Sequence, residues 1–145
     1  MDNFGDFGNT LMILIPLIFV VLFNVFKKKR KAEKTQPEIA MSLLSEVAMN
    51  QQIARSSLEK SRIKKFRIDS WQRNRGKLDF LSQFLRDELA KAFGMADEFN
   101  RAVDATRKFK SSSYLEGISV ERLKESFDRS RKGLDDWFEP NKDRQ

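Results

Sequence analysis

Residues 78–99 read LDFLSQFLRDELAKAFGMADEF, and this stretch decides the fold. Counted from Trp71 in steps of three and four, the positions Trp71, Asn74, Leu78, Leu81, Leu85, Glu88, Ala92, Met95, Phe99, Ala102, Thr106 and Phe109 fall on one side of an α-helix, and most are apolar. Phe80, Phe84, Leu89 and Phe93 widen the stripe beyond the seam of a two-stranded coiled coil. So wide a face predicts a helix packed in a bundle. Gly76 and the polar run Gln72–Arg75 allow a turn near 70–76, with a continuous helix through this region as the alternative. Glu88 is the one odd charge on the stripe. It belongs either at the bundle rim or against a basic residue of a partner helix.

The pattern extends in both directions. Downstream, Lys110-Ser111-Ser112-Ser113 through Gly117 is a break, and Ser119 can cap a last helix. The face of that helix is Val120, Leu123, Phe127, Ser130, Leu134 and Trp137, Pro140 stops it, and residues 139–145 form a polar tail. Upstream, Thr35 and Glu38 have capping-box spacing, with Pro37 in the first turn, where proline is favoured. A helix is predicted from about Pro37 into a basic block, as far as about Arg67. Ile39, Leu43, Val47, Ala54 and Leu58 share one of its faces, and Asn50 and Gln51 interrupt it. There is no strand alternation and no repeat. Residues 37–138 are therefore expected to form an all-α domain, a small bundle or hairpin of about three helices with the last two antiparallel. Leu78, Leu81, Leu85, Met95, Phe99, Leu123, Phe127, Leu134 and Trp137 are expected to carry the helix packing.

Residues 1–36 have a different character. Residues 10–26 read TLMILIPLIFVVLFNVF, broken only by Pro16 and Asn24, and Lys27, Lys28, Lys29, Arg30 and Lys31 follow at once. Seventeen helical residues rise roughly 25 Å, the short end for a hydrocarbon core of about 30 Å. From Leu11 to Phe23 there is no polar face. A cleaved signal peptide would need a basic region before the apolar run, whereas Asp2 and Asp6 stand there without a Lys or Arg. The expectation is a single transmembrane helix at 10–26, a short extracytoplasmic segment at 1–9, and a basic juxtamembrane tether at 27–36. Cations favour the cytoplasmic side. That puts residues 27–145 in the cytoplasm, with Lys27 to Lys31 against the anionic lipids of the inner leaflet.

The net charge of +7 is concentrated. Residues 55–77 hold nine cations and two acids, whereas residues 78–145 are close to neutral. Lys60, Arg62, Lys64, Lys65, Arg67, Arg73, Arg75 and Lys77, with Phe66 and Trp71 among them, compose a block with three readings: a solvated face, a contact for acidic headgroups or an acidic protein, or a nucleic-acid contact. If the helix from Pro37 stands upright, the far end of the block lies about 45 Å from the start of that helix. That is several Debye lengths of about 8 Å, so lipid contact would require a helix lying flat.

Catalytic chemistry has little to work with. The chain has no cysteine and no histidine, which excludes disulfides, thiol catalysis, histidine triads and the common zinc motifs. No Walker A or GxGxxG pattern occurs, and carboxylate pairs such as Asp87/Glu88, Asp97/Glu98 and Asp135/Asp136 read as solvated helix faces. No catalytic, cofactor-binding or metal-binding residue is assigned.

A short outer N-terminus, one span and a helical cytoplasmic part resembles the organisation of rotary ATPase b subunits, of TatB and of LemA-type proteins. The chain lacks the FGP hinge of Tat components, the arginine-aspartate run of LemA and the alanine/glutamate-rich stalk of a b subunit, so no residue role is carried over. The sequence leads to a non-enzymatic, membrane-anchored helical scaffold or accessory subunit. Its expected partners are lipids and either a membrane protein complex or further copies of itself. The alternative is a tether that binds an anionic surface or nucleic acid through residues 55–77.

Overall fold

A computed structural model describes residues 15–24, 33–60 and 63–140. All regular structure among the described residues is helical. Residues 15–24 are helical (α1). They are followed by α2 (Gln36–Lys60), α3 (Asp69–Asn74), a 3-10 turn (Arg75–Lys77), α4 (Gln83–Phe109), a second 3-10 turn (Ser112–Leu115) and α5 (Val120–Phe138). Met1–Lys34 and Thr35–Gln145 are two separate compact units.

The local signals act as their chemistry dictates. Thr35 and Glu38 close a reciprocal capping box: the Thr35 N–H donates to Glu38 Oε2 at 3.0 Å, and the Glu38 N–H donates to Thr35 Oγ1 at 3.4 Å. Ser119 caps α5 by accepting from the Arg122 N–H at 3.3 Å. Helix α4 ends at Lys110, whose left-handed backbone (φ 52°) turns the chain out while its N–H reaches the Thr106 carbonyl.

The expected helix from Pro37 to about Arg67 is shorter. It ends at Lys60, and residues 63–68 form neither helix nor strand. From there the chain runs back along α2, because Asn50 pairs with Arg67 while Glu46, one turn earlier, pairs with Ser70 and Trp71. The same segment runs antiparallel to α4: Lys65 meets Asp104, Phe66 meets Asn100, and Trp71 stacks on Phe93. Helices α2 and α4 are therefore parallel. Helix α5 is antiparallel to α4, since Met95, Glu88 and Leu85 meet Ser126, Arg129 and Gly133 in turn. The domain is an up-down-up-down bundle in which the first descending element, residues 63–77, is a return segment in place of a full helix.

The expected helix start at Trp71 is also corrected. Trp71 lies in α3, and the long helix begins after Ser82, whose hydroxyl accepts from the Leu85 N–H at 3.2 Å. Leu78 and Leu81 thus lie in the connection before α4, yet both are buried. The three- and four-residue spacing persists across the break because α3 and its 3-10 turn keep the same side inward.

The core is aromatic at its centre. Phe93 and Phe127 are fully buried, edge to face at 5.4 Å. Phe66 inserts between Phe99 at 5.1 Å and Phe127 at 5.9 Å. Burying such a side chain contributes about 1.5–3 kcal/mol. Leu85, Phe99, Leu123, Phe127 and Leu134 are buried as expected, and Met95 and Trp137 pack half-buried against them. Leu58, expected on the inner face of α2, is exposed. Phe80 meets Trp137 at 5.3 Å, which brings the start of α4 to the end of α5.

Among the described residues no helix is long and apolar enough to cross a membrane. Helix α1 accounts for ten residues of the expected span, about 15 Å of rise. Positions 10–14 and 25–26, the cations Lys27 to Lys31 and the tail 141–145 lie outside the described residues.

Two glycines test the packing. A Cβ at Gly94 in α4 would meet nothing within 4 Å, so Gly94→Ala is expected to stabilise the domain by about 1 kcal/mol through helix propensity. At Gly133 a Cβ would approach Leu85 Cδ1 to 2.5 Å, so Gly133→Ala is expected to forfeit that gain. Thermal unfolding of the two variants side by side checks the difference.

Candidate functional site

The return segment is the most unusual part of the domain, and polar side chains build it. Asn50 of α2 uses its whole amide on one residue: Oδ1 accepts from the Arg67 N–H and Nδ2 donates to the Arg67 carbonyl, both at 2.8 Å. Asn100 of α4 treats the preceding residue in the same way, accepting from the Phe66 N–H at 2.7 Å and donating to its carbonyl at 2.8 Å. Two asparagines thus supply the hydrogen bonds that a neighbouring β-strand would otherwise give. Glu46 then receives α3. Its two carboxylate oxygens accept from the Ser70 N–H at 3.0 Å and the Trp71 N–H at 2.9 Å, where helix donors lack partners and the dipole favours an anion. Glu46, Asn50 and Asn100 are all buried.

A second polar network joins α2 to α5. Gln51 donates to Asp128 at 2.6 Å and accepts from Arg131 at 2.7 Å, while Lys124 pairs with Asp128 at 3.0 Å. Burial pushes the Asp128 carboxyl up. The hydrogen bonds from Gln51 and Lys124, with the charges of Lys124 and Arg55, outweigh burial and hold it below the usual value of 3.8.

With its backbone fixed, the return segment turns its cations outward. Lys64, Arg67, Arg73, Arg75 and Lys77 are exposed, and none makes a hydrogen bond or ion pair with another described side chain. Lys65 differs, pairing with Asp104 at 2.8 Å. The side chain of Lys60, and Arg62 altogether, lie outside the described residues. The basic block expected as one helical face is therefore divided. Its first part ends α2, and Arg73, Arg75 and Lys77 lie back beyond Trp71, which Glu46 holds in the third turn of α2. Glu88 pairs with Arg129 of α5 at 2.9 Å, so the basic partner comes from the same bundle.

Three surface concavities were candidates for chemistry. The cleft of about 400 Å³ between α4 and α5 mixes Lys91 and Arg122 with Glu98 and Glu125. A second, of about 520 Å³, exposes Phe84 beside Leu85 and Trp137. The third, of about 250 Å³, lies between α2 and the return segment. Among the described residues no group of three metal-ligating side chains comes together. Compared with known protein families, characterised proteins and solved structures, the chain finds no match.

Sequence reasoning passed over Glu46 and Asn100 and read Asn50 and Gln51 only as interruptions of an apolar face. The signal was the interruption itself, two adjacent amides where the inner face of a helix should be apolar. Asn100 bonds two backbone groups buried in the core, and Asn50 two that are part-buried. Asn100→Ala is accordingly expected to cost about 3 kcal/mol and Asn50→Ala about 2 kcal/mol, with faster amide exchange at Phe66 and Arg67 respectively, read by denaturation and hydrogen exchange. At Asp128 the lowered pKa means that the protonated form binds less well in the folded state. Its contribution is present above pH 3.8 and lost as pH falls through the lower folded value. Asp128→Asn should therefore destabilise at neutral pH, by about 0.5 kcal/mol for so exposed a pair. Unfolding curves of the variant and the parent chain should converge below the ordinary carboxylate range.

Proposed function

We propose that the chain is a non-enzymatic, single-pass membrane-anchored helical scaffold or accessory subunit of a membrane protein complex, with residues 27–145 on the cytoplasmic side. The observation that carries this reading is α1. Every residue from 15 to 24 is exposed, and all except Pro16 and Asn24 are apolar. An apolar helix without a polar face needs a covering of lipid or protein. The five cations that follow in the sequence supply the orientation. The bundle beyond them presents exposed Met41, Met49, Phe84, Phe109 and Tyr114, which suits contact with partners.

The alternative is a tether that binds an anionic surface or nucleic acid through residues 55–77. It draws on the exposed cations of that block. The reversal of the chain after α2 divides the block between the end of that helix and the return segment, so it is no single helical face, which favours the scaffold.

The test has two parts. The chain is expected to stay with the membrane through alkaline carbonate extraction, with the bundle protease-accessible only from the cytoplasmic face. After mild solubilisation it is expected to migrate as a complex well above its 17.0 kDa mass. A monodisperse monomer without cross-linked neighbours would sink the scaffold reading.

A further inference from the structure

The groove between α2 and the return segment is lined by Met49, Gln52, Ile53, Ser56, Lys64 and Arg67. We infer that it is a docking groove for an acidic, amphipathic segment of a partner protein. This inference rests on the scaffold reading and supplies the chemistry of the partner.

Charge is the first argument. Among the described residues both charged groups lining the groove are cations, and no carboxylate contributes to its walls. Lys64 and Arg67 are exposed and make no ion pair with another described side chain. Elsewhere on the bundle Lys65 pairs with Asp104, Lys124 with Asp128 and Arg129 with Glu88, whereas Lys64 and Arg67, like Arg73, Arg75 and Lys77, have no such pair among the described residues. A carboxylate arriving at the groove meets two cations that need not break an existing pair. Arg67 is held in place as well, because Asn50 binds both its N–H and its carbonyl at 2.8 Å. A fixed backbone reduces the ordering cost of binding.

The floor is the second argument. Met49 is 48% exposed, Ile53 lies beside it, and Met41 two turns earlier on α2 is 52% exposed. Methionine is flexible and polarizable and accommodates apolar side chains of varied shape, which suits a protein segment. A nucleic acid would call for aromatic platforms on which bases stack, and among the described residues no aromatic side chain lines the groove. Cations above an aliphatic floor fit a segment that offers apolar side chains on one face and carboxylates beside them.

The experiment is photo-crosslinking in native membranes, with p-benzoylphenylalanine replacing Met49 in the full chain and the same probe at Glu121 of α5 as control. Crosslinks from position 49 to an acidic protein segment are expected, reduced at least tenfold in a Lys64→Glu/Arg67→Glu chain. The effect of Arg73→Glu should be less than twofold. Crosslinks to lipid or nucleic acid, to a segment without net negative charge, or at a yield equal to the control overturn the inference, as does insensitivity to the double charge reversal. Both reversed side chains are exposed, and unchanged thermal unfolding of the variant separates lost docking from lost folding. Should the complex survive at full size while position 49 behaves as the control, the groove assignment fails and the scaffold stands. A monomeric chain would fail the scaffold first.

Discussion

Two asparagine amides hold the bundle in register. Asn50 and Asn100 approach the return segment from opposite helices and satisfy both polar groups of adjacent residues, Arg67 and Phe66. Irregular backbone passing beside a hydrophobic core needs partners for its N–H and carbonyl groups, since an unpaired one costs about 1–3 kcal/mol. With those needs met, Phe66 can enter the core between Phe99 and Phe127, and Trp71 can stack on Phe93 at 5.1 Å. Glu46 fixes the other end of the segment by receiving the first donors of α3. The three side chains come from two parallel helices, so they also set the level of α2 against α4.

The charges follow from this arrangement. A continuous helix would have carried the basic block in one line away from the start of α2. The reversal after Lys60 instead brings Arg73, Arg75 and Lys77 back toward the end of the bundle where α2 begins. The basic block is thus not the single helical line of about 45 Å that a continuous helix would have given. The cations face outward because the inward positions of the segment are taken by Phe66, Asn74 and Leu78, all buried.

Much of the bundle was legible in the sequence. The capping box at Thr35–Glu38, the Ser119 cap, the antiparallel pairing of α4 with α5 and most of the packing residues follow from local chemistry and three- and four-residue spacing. The spacing misled at 71–82, since a six-residue helix and a 3-10 turn keep the same side inward as a continuous helix would. Ser82, a good cap inside an apolar stripe, was the contrary signal. The return segment was less legible. Its path is set by partners far away in sequence, Asn50 and Asn100, and no propensity of residues 63–68 announces them. The groove was hidden for the same reason, because its walls meet only once the chain reverses.

The irregular stretch at residues 63–68, standing where a helix would, has a consequence for the surface. It is thinner than a helix, which would hold its axis about 8–10 Å from its neighbour. Helix α2 is covered less completely as a result, and Met49 and Ile53 border a concavity rather than a packed seam. Phe66 is buried in the core while Arg67, held by Asn50, is exposed beside that concavity. The hydrogen bonds that let the chain dispense with a fourth full-length helix thus leave an apolar floor with Lys64 and Arg67 beside it, and stability and surface chemistry share one cause.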